Sequence, residues 1–183
     1  MLENLAMIKE FARDRSVASV WKTPEKTAEI ICDFIPEYDY KTIIELGAGL
    51  GPITKSLQIR LGKNSKLIAI EKNKRFYKSL LKKFGSDERI SLYNRSASNL
   101  QQILEEEKLT NVDYIVSGIP FSILKPWEID AILPVSQKAL DSKGVFIAYQ
   151  IRNKVEIYLK RFFSHVESHN LKDSTLKVYR AWG

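Results

Sequence analysis

The chain carries a single cysteine, Cys32, and two histidines among 183 residues. One thiol excludes an internal disulfide, and so few sulfur and imidazole ligands argue against a structural zinc site. With Ile30, Ile31 and Phe34 around it, Cys32 reads as a plain buried thiol. Also lacking is any apolar run near the roughly 18 residues that a membrane-spanning helix needs. The opening MLENLAMIKEFARDR has neither a continuous apolar stretch nor a small-residue cleavage site, so it does not read as a secretory signal. No internal repeat, low-complexity tract or linker divides the chain. The expected organisation is one domain over residues 1–183, with 1–22 as a helical extension, and the expected compartment is the cytoplasm.

What is present is positive charge. Lysine and arginine number 29 against 22 acids, for a net charge of +7 and a pI near 9.4. That balance suits a polyanionic partner, either nucleic acid or an anionic membrane surface, and does not choose between them. A basic soluble protein with neither partner stays open, and no obligate protein partner is evident.

The order of elements is regular. Leu2, Leu5, Ile8 and Phe11 or Ala12 predict a weakly amphipathic first helix. It has no strand to cover, which makes it a candidate membrane-interface segment or lid. A second helix is expected from KTPEKTAEIICDFI, with Thr23 as N-cap, Pro24 in the first turn and Ile30, Ile31 and Phe34 facing inward. Strands are then predicted at 42–46, 66–71, 90–94, 112–117 and 144–150, each followed by a helix. In KRFYKSLLKKF the inward residues are expected to be Phe76, Tyr77, Leu80, Leu81 and Phe84, with the lysines forming a solvated outer face. Two closing strands, at 165–168 and 176–182, are joined by HNLKDS, too short for a helix, and should pair antiparallel. This alternation predicts an α/β fold: a Rossmann-like, mostly parallel seven-stranded sheet with helices on both faces and a C-terminal antiparallel hairpin.

The strongest local signal is IIELGAGLGPITKSL. Glu45 ends the first strand, and Gly47, Gly49 and Gly51 punctuate the turn into a helix. Glycine lets the backbone approach a ligand closely, and exposed N–H groups at a helix start favour acceptors. Glu71 closes the second strand, where a carboxylate suits the two hydroxyls of a ribose. A dinucleotide enzyme would read G-x-G-x-x-G, whereas this turn reads G-x-G-x-G after an acid.

ELGAGLG followed by AIEKN resembles motifs one and two of class I S-adenosylmethionine-dependent methyltransferases. The resemblance implies that S-adenosylmethionine is the cofactor, its methionine end lined by Glu45 and the backbone of Gly47, Ala48, Gly49 and Gly51. It implies ribose binding by Glu71, beside Lys72, and an adenine contact near YNRSASNL from Ser96 or Ala97, although Ser96 stands where an aspartate is frequent.

Beyond strand four, SGIPFS falls where such enzymes place their substrate. It looks like the N-I-P-F of ribosomal RNA adenine dimethyltransferases. There the Asn and the following carbonyl accept the hydrogens of a base amine, and the aromatic residue stacks on the flipped base. Here Gly118 occupies the Asn position. The closer likeness is to bacterial phospholipid N-methyltransferases, which read SG-L-P. By that likeness Ser117, Gly118, Ile119 and Pro120 form the catalytic floor, Ser117 also facing the cofactor, and Tyr149, near the carboxyl end of strand five, is placed to hydrogen-bond the head group. The expected substrate is the amine of phosphatidylethanolamine or a related amino lipid, met at the inner membrane face. Nucleic-acid adenine, and then a protein lysine or small-molecule amine, are the alternatives.

Overall fold

The computed structural model describes residues 23–36, 41–151, 154–172 and 174–183. The expected first helix and the whole of the expected 1–22 extension therefore lie outside the described residues. In chain order the elements are α1 (Glu25–Cys32), β1 (Thr42–Leu46), α2 (Pro52–Arg60), β2 (Lys66–Ile70), α3 (Lys74–Phe84), β3 (Ile90–Tyr93), α4 (Leu100–Glu106), β4 (Val112–Ser117), α5 (Pro126–Ala139), β5 (Leu140–Gln150), α6 (Lys154–Phe162), β6 (His165–Asn170) and β7 (Lys177–Trp182). Short 3₁₀ turns at Ala97–Asn99 and Phe121–Ile123 precede α4 and α5.

The strands form one sheet in the order β3-β2-β1-β4-β5-β7-β6. The first five run parallel, and β7 pairs antiparallel with both β5 and β6, as the sequence predicts. Alternation within each strand sends side chains to two cores. Ile43, Leu67, Val116 and Ile147 face the layer of α1, α2 and α3. Ile44, Ile68, Ile115 and Phe146 face that of α4, α5 and α6. Each such fully buried side chain stabilises the fold by about 1.5–3 kcal/mol relative to exposure. Chain order reverses at β1, which lies between β2 and β4, so the carboxyl ends of these strands diverge into a crevice.

Several local expectations are corrected. Pro24, not Thr23, takes the N-cap place of α1, and Thr23 is buried against Tyr149 instead. Ile30 and Leu81 point outward, at 36% and 49% exposure, because Ala28, Ile31 and Cys32 on α1 and Leu80 and Phe84 on α3 supply the inner stripes. Strand β5 begins four residues early. Its polar start, LDSKG, pairs Leu140 with Val112 before a register shift, and Gly144 permits this because a Cβ there would stand 2.9 Å from the Val112 carbonyl oxygen. Helix α5 starts at Pro126 rather than near Ile129. Cys32 is fully buried, and burial pushes its thiol up to about 12, in keeping with an inert core residue.

Candidate active site

The turns after β1, β2, β3 and β4 surround a cavity of about 820 Å³, counting the part open to solvent. Its first wall is the glycine loop. Gly47 and Ala48 both donate their N–H to the Ile70 carbonyl, at 2.9 and 3.1 Å, which fastens the loop to the end of β2. The three glycines have left-handed φ, and each has its own task. A Cβ on Gly47 would meet Ile119, and one on Gly51 would stand 2.6 Å from the Phe84 ring. Around Gly49 nothing lies within 4 Å of that position, so its backbone borders open space. Helix α2 then begins with Pro52 and no side-chain cap.

Two carboxylates flank this loop and do different things. Glu45 is buried behind it and accepts a 2.6 Å hydrogen bond from the Thr54 hydroxyl, so the end of β1 is tied to the first turn of α2. Burial raises its carboxyl to about 7, with the nearby Glu71 charge pushing the same way and the Thr54 bond opposing. Glu71 faces the cavity. One of its oxygens accepts the Gly49 N–H at 2.8 Å and the other the Asn73 N–H at 2.6 Å. Burial raises its carboxyl too, against those two bonds. A carboxylate has about four lone-pair positions, so Glu71 retains acceptor capacity for a diol.

The opposite wall is the elbow after β4. The Gly118 N–H donates to the Leu46 carbonyl at 3.0 Å, continuing the β1–β4 ladder one residue further. Gln150, buried at the end of β5, then grips the elbow with both halves of its amide. Its nitrogen donates to the Ile119 carbonyl at 2.6 Å and its oxygen accepts the Phe121 N–H at 3.2 Å. Tyr149 fills the volume beneath Gly118, with a hydroxyl bonded to Thr23. Burial lifts that hydroxyl far above the ordinary phenol range, so it stays protonated at neutral pH.

Of the residues singled out in the sequence, Gly47, Ala48, Gly49, Glu71, Lys72, Ser96, Ala97, Gly118, Ile119, Pro120 and Tyr149 meet at this cavity. Glu45, Gly51 and Ser117 do not line it. Glu45 braces the loop, Gly51 admits α3, and the buried Ser117 hydroxyl accepts the Ile119 N–H at 3.4 Å. Ser96 caps the 3₁₀ turn, accepting the Ser98 N–H. Sequence reasoning missed Gln150, Glu128 and Asn94, whose amide ties the Glu71 and Lys72 carbonyls. A polar residue ending the apolar run of β5 was the available signal for Gln150.

The cavity fits an adenosyl cofactor. Gly49 leaves room for close approach, Glu71 presents a carboxylate to a ribose, and Ile70, Ala97 and Ile132 offer apolar surface to a flat ring.

The family model of ribosomal RNA adenine dimethylase matches residues 21–127. The ornithine lipid N-methyltransferase of Singulisphaera acidiphila is 28% identical over 162 residues, 86% of this chain and 83% of that protein. Among solved structures, the fold is shared with precorrin-6y C5,15-methyltransferase from Geobacter metallireducens, at a TM-score of 0.68 and 16% identity over 87% of this chain and 89% of that one. It is shared also with human methyltransferase-like protein 13 in complex with SAH, at 0.63 and 13%, covering 86% and 81%.

Proposed function

The chain belongs to the ribosomal RNA adenine dimethylase family, and we propose that, within it, this protein methylates the head-group amine of a lipid. It is an S-adenosylmethionine-dependent methyltransferase. The proposal concerns the acceptor and the role of each residue.

The observation that carries it is the pair Gly118 and Tyr149. Where an adenine-amine enzyme holds the base amine with Asn, this chain has no side chain, and the volume is taken by the Tyr149 hydroxyl, 2.3 Å from where a Cβ would begin. Phe121, at the place of the stacking aromatic, is 1% exposed and packs edge-on to Phe146, with ring centroids 6.5 Å apart. It belongs to the core and does not line the cavity. Both grips on a flipped base are thus missing from the wall, and an amine on a flexible chain needs neither. The resemblance to a relative named for a lipid N-methyltransferase supports the same reading.

When bound, S-adenosylmethionine supplies a methyl group on a positively charged sulfur. Gly47, Ala48 and Gly49 would hold its amino-acid end, Glu71 its ribose, and Ser96 and Ala97 would flank the adenine beside Lys72. Gly118, Ile119 and Pro120 would form the floor on which the acceptor nitrogen is aligned, with water excluded. Tyr149 would orient that nitrogen as a neutral phenol and would not act as a base. Ser117, Glu45 and Gly51 would support these walls from behind. The whole chain would act as one methyltransferase unit at an anionic membrane surface, and among the described residues no helix is long and apolar enough to cross the membrane.

A second reading, methylation of adenine in RNA, is favoured by the family and by the net charge of +7. Labelled S-adenosylmethionine separates the two when the protein is incubated in parallel with amine-lipid vesicles and with ribosomal RNA. Label in lipid is expected, and label in RNA without lipid would reverse the assignment.

A further inference from the structure

Glu128 is the third residue of α5, and its side chain folds back over the start of the helix. One carboxylate oxygen accepts the Lys125 N–H at 2.9 Å, a bond that also fixes the rotamer. The other accepts no hydrogen bond among the described residues. This half-used carboxylate lines the cavity, with Leu124 before it and Ile132 one turn further along the same wall.

Besides Glu128, the charged side chains facing the cavity are Glu71, Lys72 and Arg95. Glu71 has both oxygens engaged by backbone N–H groups, and Arg95 is paired with Glu106 at 2.6 Å. Glu128 is therefore the lining acid with one oxygen that accepts no hydrogen bond, beside the apolar side chains of Leu124 and Ile132. Ionised, it only accepts hydrogen bonds, so its complement is a donor, and a cationic donor makes the stronger pair. An alkyl ammonium offers three N–H groups and a full positive charge. The exocyclic amine of adenine is neutral and would gain little from this group.

We infer that Glu128 forms an ammonium-binding subsite that captures the protonated head group of the acceptor lipid at the mouth of the cavity, where the nitrogen then releases one proton to solvent and frees the lone pair that takes the methyl group. The inference rests on the amine-lipid reading and sharpens it: acceptor choice would be set by the charge at Glu128 as well as by the missing side chain at Gly118. Glu128 arrives on the turn that follows the elbow, so one continuous segment, from Gly118 to Glu128, would supply both floor and counter-ion. The sequence alone hides this role, because an acid in the first turn of a helix is ordinary capping chemistry.

Glu128→Gln isolates the charge, since the amide oxygen can still accept the Lys125 N–H and keep the cap. Full-length protein and this variant are compared for SAH affinity by calorimetry, for thermal stability, and for KM and kcat on phosphatidylglycerol vesicles carrying phosphatidylethanolamine or ornithine lipid. The expected result is a KM for amine lipid raised at least tenfold, about 1.4 kcal/mol, with SAH affinity and melting temperature unchanged. An unchanged KM would overturn the subsite while leaving the lipid reading intact, and so would a loss of SAH affinity, which would place Glu128 on the cofactor. A wild-type protein that methylates RNA and neither amine lipid would instead remove the lipid reading itself, and the subsite with it.

Discussion

The Tyr149 hydroxyl stands where a side chain on Gly118 would begin, 2.3 Å from the Cβ position, and that position is also 3.2 Å from the Gly47 carbonyl oxygen. Two walls of the cavity thus meet a third at one residue that has no side chain. Gly118→Ala should drive Tyr149 off its seat and destabilise the protein by about 1–3 kcal/mol. Adding Tyr149→Phe removes the clashing oxygen, so the double variant should melt above the single Gly118→Ala variant. Thermal unfolding of the four proteins in the cycle measures this coupling, and simple additivity would contradict the contact.

Gly49 and Gly51 should separate binding from folding. Arginine at Gly49 would project from a backbone that borders open cavity, so SAH affinity should fall at least a hundredfold, as calorimetry would show. Gly51→Ala forces a Cβ to 2.6 Å from Phe84 and 2.8 Å from Leu80 at a φ of +88°. Its effect should be seen first as a lower melting temperature, by about 1–3 kcal/mol of stability.

Gln150 is the clamp on the elbow. Gln150→Ala leaves the Ile119 carbonyl and the Phe121 N–H without their partner, at a cost of about 1–3 kcal/mol for the buried Phe121 N–H left unsatisfied. Gln150→Glu can still accept from Phe121 but, when ionised, cannot donate to Ile119. Its kcat should therefore recover as pH is lowered and the carboxyl gains a proton, relative to wild type measured in parallel.

Much of this was legible in the sequence for reasons that can be named. The parallel sheet follows from short apolar strands alternating with helices, and the glycine loop and Glu71 carry their context with them in 25 residues of local sequence, Gly47 to Glu71. What was hidden depends on distant pairs. Glu45 looked like a cavity residue until Thr54 was seen to hold it behind the loop. The likeness to N-I-P-F puts Phe121 at the place of a stacking aromatic, whereas Phe146, 25 positions away, takes it into the core. Gly118 showed in the sequence only as a missing Asn side chain, and the room that side chain would need belongs to Tyr149. Glu45 and Tyr149 come to the same face because the sheet order brings β1 and β5 to either side of β4, which neither strand's own sequence shows.

Stability should depend on pH through Glu45. Its carboxyl, raised by burial from 4.5 to about 7, binds a proton more readily in the folded than in the unfolded chain. The associated stability is present in full below about 4.5 and is lost as pH rises through about 7. Glu71 is shifted in the same direction, for the same first cause. Glu45→Gln keeps an acceptor for Thr54 without the charge. Relative to wild type it should gain melting temperature between pH 5 and pH 8, and a difference that does not change over that range would contradict a buried, proton-holding Glu45.

The central claim is that an aliphatic amine on a lipid, and not a base in RNA, receives the methyl group. Its most direct measurement is a competition in one tube: purified protein, labelled S-adenosylmethionine, phosphatidylglycerol vesicles with amine lipid, and ribosomal RNA, followed by separation of lipid from nucleic acid and identification of the labelled atom. The account expects the label on the head-group nitrogen of the lipid and none above background in RNA. Label on the exocyclic nitrogen of adenine, with the lipid unlabelled, would contradict it.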